Sequence, residues 1–533
     1  MAATGAMQRS APTSEVSPYR WIILIGLITA AIMEVLDTTI VNVSLPQIAG
    51  NLGATSEEIG WVSTGYILSN VIVLPVTAWL SSRFGRRRYL AASITLFTAA
   101  SVMCGLSGSL GALVFWRIMQ GAGGAALLST AQATIREIFP PEELSITQSI
   151  YVLGIIVAPT LGPTLGGWIT DHYSWHWAFL INLPIGIVSF FMVTSFLEDS
   201  RYRMPTGKVD FLGLALLAIG LGSLQYMLEE GNSKNWFESS TIISCGLVTA
   251  ITLPLFCWWQ LSKRNEVPIM NLRVLRNPQL SAALILFVVL GFGLYGGIFI
   301  YPLFAQNVLH LTPTITGLAL LPGGIATGVS ALMTGRLMGL KGQPIPPKLI
   351  IVTGLLIFLL SLIWLSNLPP TSSAADAQAA LLLRGFGLGM LFIPINLVAF
   401  STLKGAEIAQ GSSLINLARQ LGGSFGIAVL ATYLTTRVTV AQQAVAAHVD
   451  KGLPQVNYQY QMFQQYLMTK GYSPTLAAQA SNEILLQRVR AQATALAFGN
   501  CFTLIALAVV VSAPAILLLR NPKPRPAVPV DAH

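Results

Sequence analysis

Two acidic residues interrupt the first apolar segment of this chain. Glu34 and Asp37 lie three residues apart between Trp21 and Pro46, in a stretch that is otherwise uncharged. Charged side chains at membrane depth are costly and usually mark functional sites, and this spacing places both on one helix face. A low-dielectric surrounding favours the neutral form of a carboxyl group, which can then exchange protons near neutral pH. We therefore predict that this face carries protons across a membrane.

The composition is that of a membrane protein. Of the 533 residues, 53% are hydrophobic and only 10% are charged, and the mean hydropathy is +0.66. A soluble chain of this length would have about a quarter of its residues charged. The four cysteines lie in apolar runs without paired spacing, so we interpret them as packing residues.

The elements that must hold these acids are apolar runs, each of about 20 residues or more, long enough to cross a bilayer. They begin near residues 21, 59, 88, 109, 145, 176, 210, 239, 279, 314, 348, 376, 408 and 494. We therefore predict an all-α, polytopic membrane protein with fourteen transmembrane helices. The first apolar run is predicted to be retained as a membrane span and not cleaved as a signal peptide.

The apolar runs divide into two bundles. We predict a tail (1–20), a six-helix bundle (21–200), two linker helices (201–265), a second six-helix bundle (266–520) with an outer helical hairpin (437–492), and a tail (521–533). Two six-helix bundles around a midplane site are typical of secondary transporters.

Lysine and arginine mark the predicted cytoplasmic side. If the N-terminus is cytoplasmic, the inner segments carry 21 of these residues, whereas the short outer loops carry only Lys234. Because positive charge is retained on the cytoplasmic side, both termini are predicted there. The net charge of +9 is explained by this placement and gives no support to nucleic-acid binding.

Buried arginines are the candidate partners of the acids. Asp37 lies nine residues before Pro46, the predicted outer end of the first helix, and Arg117 lies eight residues after Ser109, the predicted outer start of the fourth, so both are about 12–13 Å below the outer surface. An ion pair between them would be a switch that protonation of Asp37 weakens; the alternative is a static pair that locks two helices together. Arg384, in a weak repeat of the Arg117 segment, and Arg419 have no evident acidic partner, and we predict that both line a cavity.

The predicted outer hairpin is polar and carries the run NYQYQMFQQY at 457–466. Ser473 and Pro474 are typical of a helix N-cap and first position, and the helix that they begin is predicted to continue toward the last span. The segment is either a solvated hairpin or a docking surface for a partner.

Several segments resemble the fourteen-helix drug:proton antiporters of the major facilitator superfamily, and specifically the EmrB-type branch. The similar segments are LDTTIVNVSLPQIAGNLG (36–53), RFGRRRYL (83–90), RIMQGAGGA (117–125), GIIVAPTLGPTLGGWI (154–169), HWAFLINLPIGI (176–187) and DFLGLALLAIGLGSLQYMLEEG (210–231). The resemblance implies an inner-membrane exporter of hydrophobic drugs that is driven by proton entry. It also implies a periplasmic adaptor of the EmrA type and an outer-membrane channel of the TolC type as partners, with no cofactor.

The resemblance also implies roles for residues. Asp37 is then the proton-coupling carboxylate and Arg117 its partner, whereas Glu34 lies outside the usual pattern and is either a second proton site or a contact for cationic substrates. An antiporter motif with small residues for close packing and prolines that bend the helix is formed by Gly154, Pro159, Gly162, Pro163, Gly166 and Gly167. A gating loop is formed by Arg83, Gly85, Arg86 and Arg87. Ser82 replaces the usual loop aspartate, which leaves the loop's charge relay with a neighbouring helix open.

Other chemistry is not supported. The sequence has no phosphate-binding loop and no HExxH or cysteine-pair metal motif, so we predict neither an enzyme nor a metal site. Two rival functions remain: a proton-coupled importer of a small metabolite on the same fold, and an interaction protein built around the outer hairpin.

Overall fold

The computed structural model describes residues 18–140, 142–199, 209–265, 268–339, 345–447 and 454–519. This part of the chain forms α-helices and short 3-10 turns and contains no strand. The helices of the first half are α1 (Arg20–Leu52), α2 (Ser56–Val73), α3 (Thr77–Phe84), α4 (Arg86–Gly105), α5 (Leu110–Ile138), α6 (Leu144–His172), α7 (His176–Leu180) and α8 (Asn182–Phe196). The remaining helices are α9 (Phe211–Glu230), α10 (Ser240–Leu261), α11 (Pro278–Asn307), α12 (Pro313–Met338), α13 (Pro347–Ser366), α14 (Ala374–Phe400), α15 (Ala406–Ala447), α16 (Pro454–Thr469), α17 (Pro474–Ser512) and α18 (Ala515–Leu518).

The predicted polytopic all-α fold is confirmed. Eleven helical stretches within the described ranges are long and apolar enough to cross a membrane. The predicted third, fourth and fifth spans form α4, α5 and α6, which are not among those eleven, so the count of fourteen stays a prediction. Most of both predicted tails, residues 201–208 of the linker and residues 448–453 of the hairpin lie outside the described residues.

One predicted helix end needs correction. The first helix does not end at Pro46 but continues to Leu52, where Gly53 adopts a left-handed conformation with φ of 64°. A proline removes only one backbone donor, and the left-handed glycine ends the helix. The predicted continuation of the Ser473 helix toward the last span is confirmed, because α17 is continuous from Pro474 to Ser512. The predicted cap is confirmed, since the Ser473 side chain accepts a hydrogen bond from the Leu476 amide.

The same packing pattern occurs in both halves. In the first half α1 packs on α6, α2 on α5 and α4 on α5; in the second half α11 packs on α15, α12 on α14 and α13 on α14. The inserted helix α9 contacts both halves. The Tyr226 ring lies 5.6 Å from the Trp61 ring on α2, and Gln225 donates a 2.8 Å hydrogen bond to Ser424 on α15.

The halves are joined at the end of the bundle where α1 begins. The hydroxyl groups of Thr77 and Ser413 lie 2.9 Å apart, and Asn416 Nδ2 donates to Gln132 Oε1 at 3.0 Å. All four side chains are buried. A layer of hydrogen bonds therefore holds the first half against the second on this side.

Candidate functional site

An ion pair between α1 and α5 forms the centre of the site. Arg117 Nη1 donates to Asp37 Oδ2 at 2.6 Å, and the two side chains are 1% and 0% exposed. Ser109 caps α5, so that Arg117 lies two turns inside the helix. The expectation that Asp37 and Arg117 meet at one depth is confirmed.

Two amides complete the surroundings of the carboxylate. Gln120 Nε2 and Asn182 Nδ2 each donate a 2.8 Å hydrogen bond to Asp37 Oδ1. The guanidinium is equally well bound, since it also donates to Gln120 Oε1 at 2.8 Å and to the Val62 carbonyl at 2.9 Å. Sequence reasoning did not assign Gln120 or Asn182 to the site. The available signal was an amide side chain inside an apolar helical run, which needs a polar partner when it is buried.

In this arrangement, protonation of Asp37 would change the contact between α1 and α5. A proton on the carboxylate removes the charge that balances Arg117, and a buried unpaired guanidinium is strongly unfavourable. Release of the pair therefore favours a movement of α1 relative to α5, or the arrival of another partner. The ion pair can therefore couple the charge on the Asp37 carboxylate to the packing of α1 against α5.

Glu34 lies one turn before Asp37 in a different environment. Its Oε1 accepts a 3.2 Å hydrogen bond from Asn70 Nδ2, whereas Oε2 has no hydrogen-bond partner among the residues that the structure describes. Glu34 is 6% exposed and forms no ion pair with a described residue. The two acids that were predicted to act together therefore differ in their contacts, since Asp37 forms an ion pair and Glu34 does not.

The two further buried arginines have neutral partners. Arg384 Nη2 donates to the Leu294 carbonyl on α11 at 3.1 Å, and Arg419 Nη2 donates to Asn416 Oδ1 at 3.1 Å. Neither arginine forms an ion pair with an acid in the described ranges. Arg384 thus reaches α11 as Arg117 reaches α1, but it meets a backbone carbonyl where Arg117 meets a carboxylate. Their place in a substrate cavity stays a prediction.

The predicted antiporter motif packs α6 onto the helix that carries the acids. A Cβ atom on Gly162 would lie 1.8 Å from Thr39 Oγ1, and one on Gly166 would lie 3.0 Å from the Ile40 carbonyl oxygen. Gly154 meets Ile28 in the same way, at 2.7 Å, whereas Gly167 has no neighbour within 4 Å. Pro159 is partly exposed, and the side chain of Pro163 lies outside the described part. Three of the four glycines therefore allow close contact with α1, and two of these contacts, at Thr39 and Ile40, lie next to Asp37.

The residues of the predicted gating loop contact acids and a carbonyl on neighbouring segments, whereas their role in gating stays a prediction. Arg86 pairs with Glu137 on α5, the Arg87 amide donates to Asp199 Oδ1 at 3.0 Å, and the Arg87 side chain bonds the Thr194 carbonyl. Gly85 has φ of 88° and lies against the Asp199 carboxylate. The acids that were not recognised in the sequence are Glu137 and Asp199, which lie far from the loop in the chain.

Arg83 differs from its neighbours in the loop. Its guanidinium carbon lies 5.2 Å from the centre of the Trp79 ring, a cation–π distance. The positive charges of this loop are therefore held by acids, carbonyls and a ring, which keeps the α3–α4 connection close to α5 and α8.

A helical membrane bundle of two similar halves, with a buried ion pair inside the first half, has the architecture that is typical of secondary transporters. Residues 27–427 match the Major Facilitator Superfamily. The chain resembles two proteins of Escherichia coli K12: the probable multidrug resistance protein EmrY, at 31% identity over 86% of this chain and 89% of EmrY, and the multidrug export protein EmrB, at 32% over 87% and 90%. It is also 33% identical to the fatty acid resistance protein FarB of Neisseria gonorrhoeae, over 80% of this chain and 83% of FarB.

The structural comparison agrees on the fold. The human organic anion transporter MFSD10 matches with a TM-score of 0.58 at 13% identity, over 92% of this chain and 100% of that one. The chain belongs to the Major Facilitator Superfamily and, within it, to the EmrB-type multidrug exporters. It is a multi-pass membrane transporter and not an enzyme.

Proposed function

We propose that this chain is a proton-driven antiporter that exports diverse hydrophobic compounds from the cytoplasm or the inner membrane. The observation that carries the proposal is the fully buried pair of Asp37 and Arg117, in which every polar atom of the carboxylate has a partner. Relatives named as multidrug export proteins support the cargo class. The name of FarB supports amphiphilic cargo as part of that class.

In the proposed cycle the pair takes two states. When the cavity faces outward, a proton reaches Asp37, the attraction to Arg117 weakens, and cargo is released. When the cavity faces the cytoplasm, the proton leaves and the pair forms again as new cargo binds. Cargo can shift this equilibrium only because it binds the two states unequally.

Arg384 supports the assignment of coupling to the first half. It occupies the repeat position of Arg117 but donates to a carbonyl, which cannot change its charge. Among the described residues Arg384 therefore has no titratable partner, so the acids proposed for proton coupling, Asp37 and Glu34, both lie in the first half.

The proposed location is the bacterial inner membrane, with both termini in the cytoplasm. The excess of lysine and arginine in the inner segments supports this orientation. The hydrogen-bonded layer around Thr77 and Gln132 then lies on the cytoplasmic side. We further propose that the outer segment, with α16 and the start of α17, contacts a periplasmic adaptor of the EmrA type, which connects to a channel of the TolC type.

The proposal is tested with purified protein in liposomes under an imposed pH difference. We expect Asp37→Asn to abolish uphill transport of a fluorescent drug while the protein stays inserted and folded. Asp376→Asn is the matched control, because this acid lies in an exposed helix cap and not in the site. Normal uphill transport by Asp37→Asn would contradict the coupling role. Cargo movement in the same direction as the proton would instead favour the importer.

A further inference from the structure

A groove opens where the connection between α9 and α10 meets α15. One wall is the side chain of Trp236, which begins the short 3-10 turn Trp236–Glu238. The other wall is one face of α15, and its residues recur at helical spacing: Val429, Thr432, Tyr433, Thr436, Arg437 and Val440. The groove has a volume of about 470 Å³ and a mostly apolar lining, which are typical of sites that bind small molecules.

An unusual backbone conformation holds Trp236 in this wall. Asn235 and Trp236 have φ of 54° and 51°, a left-handed conformation that is rare for a bulky side chain. The indole Nε1 donates to Thr432 Oγ1 at 2.7 Å, and the ring lies so close to Gly231 that a Cβ atom there would be 2.7 Å from Trp236 Cζ3. Backbone strain of this kind concentrates at ligand sites. The turn therefore places the indole ring against α15 at a cost in backbone conformation.

The groove lies at the level of the outer headgroups. With the proposed orientation, α15 begins at Ala406 on the cytoplasmic side, and Val429 and Arg437 lie about 35 and 47 Å along its axis. The hydrocarbon core is about 30 Å thick, and the headgroup regions extend the bilayer to about 40–45 Å. Tryptophan is enriched at this boundary. One end of the groove therefore faces the acyl chains, and the other faces the headgroups.

Arg437 gives the outer end of the groove a positive charge. It is the only charged residue in the described lining, and its guanidinium carbon lies 4.9 Å from the centre of the Tyr433 ring. Arg437 forms no ion pair with an acid in the described ranges. A guanidinium presents its donors in a planar fork that matches the oxygens of a phosphate group. The lining therefore complements a molecule in which an anionic phosphate is joined to an apolar chain.

We propose that this groove binds an anionic phospholipid of the outer leaflet, with the phosphate on Arg437 and an acyl chain along Trp236 and Val429. A zwitterionic headgroup adds a positive charge near the guanidinium, so an anionic lipid is favoured. Trp236 belongs to the inserted helix pair and Arg437 to the second half, so the lipid links the two. The inference goes beyond the proposed transport and uses only the proposed orientation.

Quenching of tryptophan fluorescence by brominated acyl chains tests the proposal. The full chain is reconstituted in phosphatidylcholine liposomes that contain an increasing share of brominated phosphatidylglycerol or of brominated phosphatidylcholine. The Trp236 signal is the difference between each protein and its own Trp236→Phe counterpart. We expect half-quenching of Trp236 at a share of phosphatidylglycerol about fivefold lower than that of phosphatidylcholine, the effect of one basic side chain on an anionic lipid. Arg437→Gln should remove this preference, whereas Arg437→Lys should retain most of it.

A matched variant separates the groove from the general charge of the outer surface. Arg488 on α17 also lies over a ring, 4.6 Å from the centre of Phe463, but it does not line the groove. Arg488→Gln should therefore keep the preference for phosphatidylglycerol. Val429→Phe, which fills the apolar part of the groove, should weaken quenching by phosphatidylglycerol although Arg437 is present.

Three results would overturn the proposal. The first is a wild-type protein in which both lipids quench Trp236 at the same share. The second is an Arg437→Gln variant that keeps the preference, or that loses it no more than Arg488→Gln does. The third is binding of a transported drug in place of the lipid, which would assign the groove to cargo. Because no gradient is imposed, failure of the antiport proposal would leave this test unaffected.

Discussion

The contact between Gly162 on α6 and Thr39 on α1 gives a sharp prediction about the antiporter motif. An alanine at position 162 would place its Cβ atom 1.8 Å from Thr39 Oγ1 and 2.5 Å from Thr39 Cβ. Neither distance is possible without movement of one helix away from the other. We expect Gly162→Ala to disturb the contact of α6 with the helix that carries Asp37.

The size of the effect follows from packing. Forcing one extra methyl group into a close helix contact costs about 1–3 kcal/mol. If this cost falls on the packed state of α1 and α6, the ratio of the packed to the displaced state should fall by about 5- to 150-fold. Thr39 donates its hydroxyl group only within its own helix, to the Leu36 carbonyl at 2.9 Å and the Val35 carbonyl at 3.3 Å. Thr39→Ala alone should therefore change little.

Compensating variants make the test specific. Thr39→Ala removes the nearest atom, so the pair Thr39→Ala with Gly162→Ala should recover part of the transport rate. Thr39→Gly removes both close atoms, which leaves the Ile40 nitrogen at 3.5 Å as the next neighbour, and should recover more. Gly167→Ala is the matched control, since a Cβ atom there meets nothing within 4 Å.

The assay is drug efflux from liposomes, normalised to the amount of inserted protein, together with heat-induced unfolding of the purified chain. Full activity of Gly162→Ala would refute the close-contact explanation of this motif. Equal loss in Gly162→Ala and Gly167→Ala would also refute it, because only one of the two positions is in contact. Loss without any recovery by the Thr39 variants would show that a different neighbour limits the site.

Three further predictions concern the loop, the second arginine and the layer between the halves. Gly85→Ala should lower the unfolding midpoint by the equivalent of about 1–3 kcal/mol, because φ is positive and Asp199 Oδ1 would lie 2.7 Å from the new Cβ atom; an unchanged melting curve would contradict this. Arg384→Gln should keep gradient-driven transport, since its partner is a carbonyl, whereas Arg117→Gln should lose it; equal loss in both would remove the distinction between the halves. Removing the Gln132–Asn416 hydrogen bond with Asn416→Leu should broaden the distances between spin labels on the two halves at that end; an unchanged distribution would show that the layer does not hold them together.

Most of the fold was predictable because the membrane imposes a simple length rule. A helix that satisfies its own backbone needs about 20 apolar residues to cross a bilayer, and each predicted run contains a helix. The predicted end of the first helix was wrong because it was inferred from a single residue. Pro46 looked like a helix end, but a helix tolerates one missing donor, and the left-handed Gly53 provides the end seven residues later.

The site was predictable in part. Depth along a helix follows from residue count alone, so the sequence could place Asp37 and Arg117 at similar depths, and the six further residues of α1 beyond Pro46 did not prevent their contact. Asn182 and Asp199 could not be assigned in this way, because they come from α8 and the segment after it. Their contacts depend on which helices are neighbours, and apolar helices alone do not specify their neighbours. The unequal surroundings of Glu34 and Asp37 likewise depend on α2 and α5.

The most direct test of proton exchange at Asp37 is a count of the protons that are released when a drug binds. Adding a transported drug to purified wild-type protein in weakly buffered solution should release protons over the pH range in which antiport operates, and Asp37→Asn should release none. The Arg117→Gln variant should still bind drug but show altered release. Proton release from Asp37→Asn equal to that of the wild type would contradict the central claim that this carboxylate exchanges its proton for cargo.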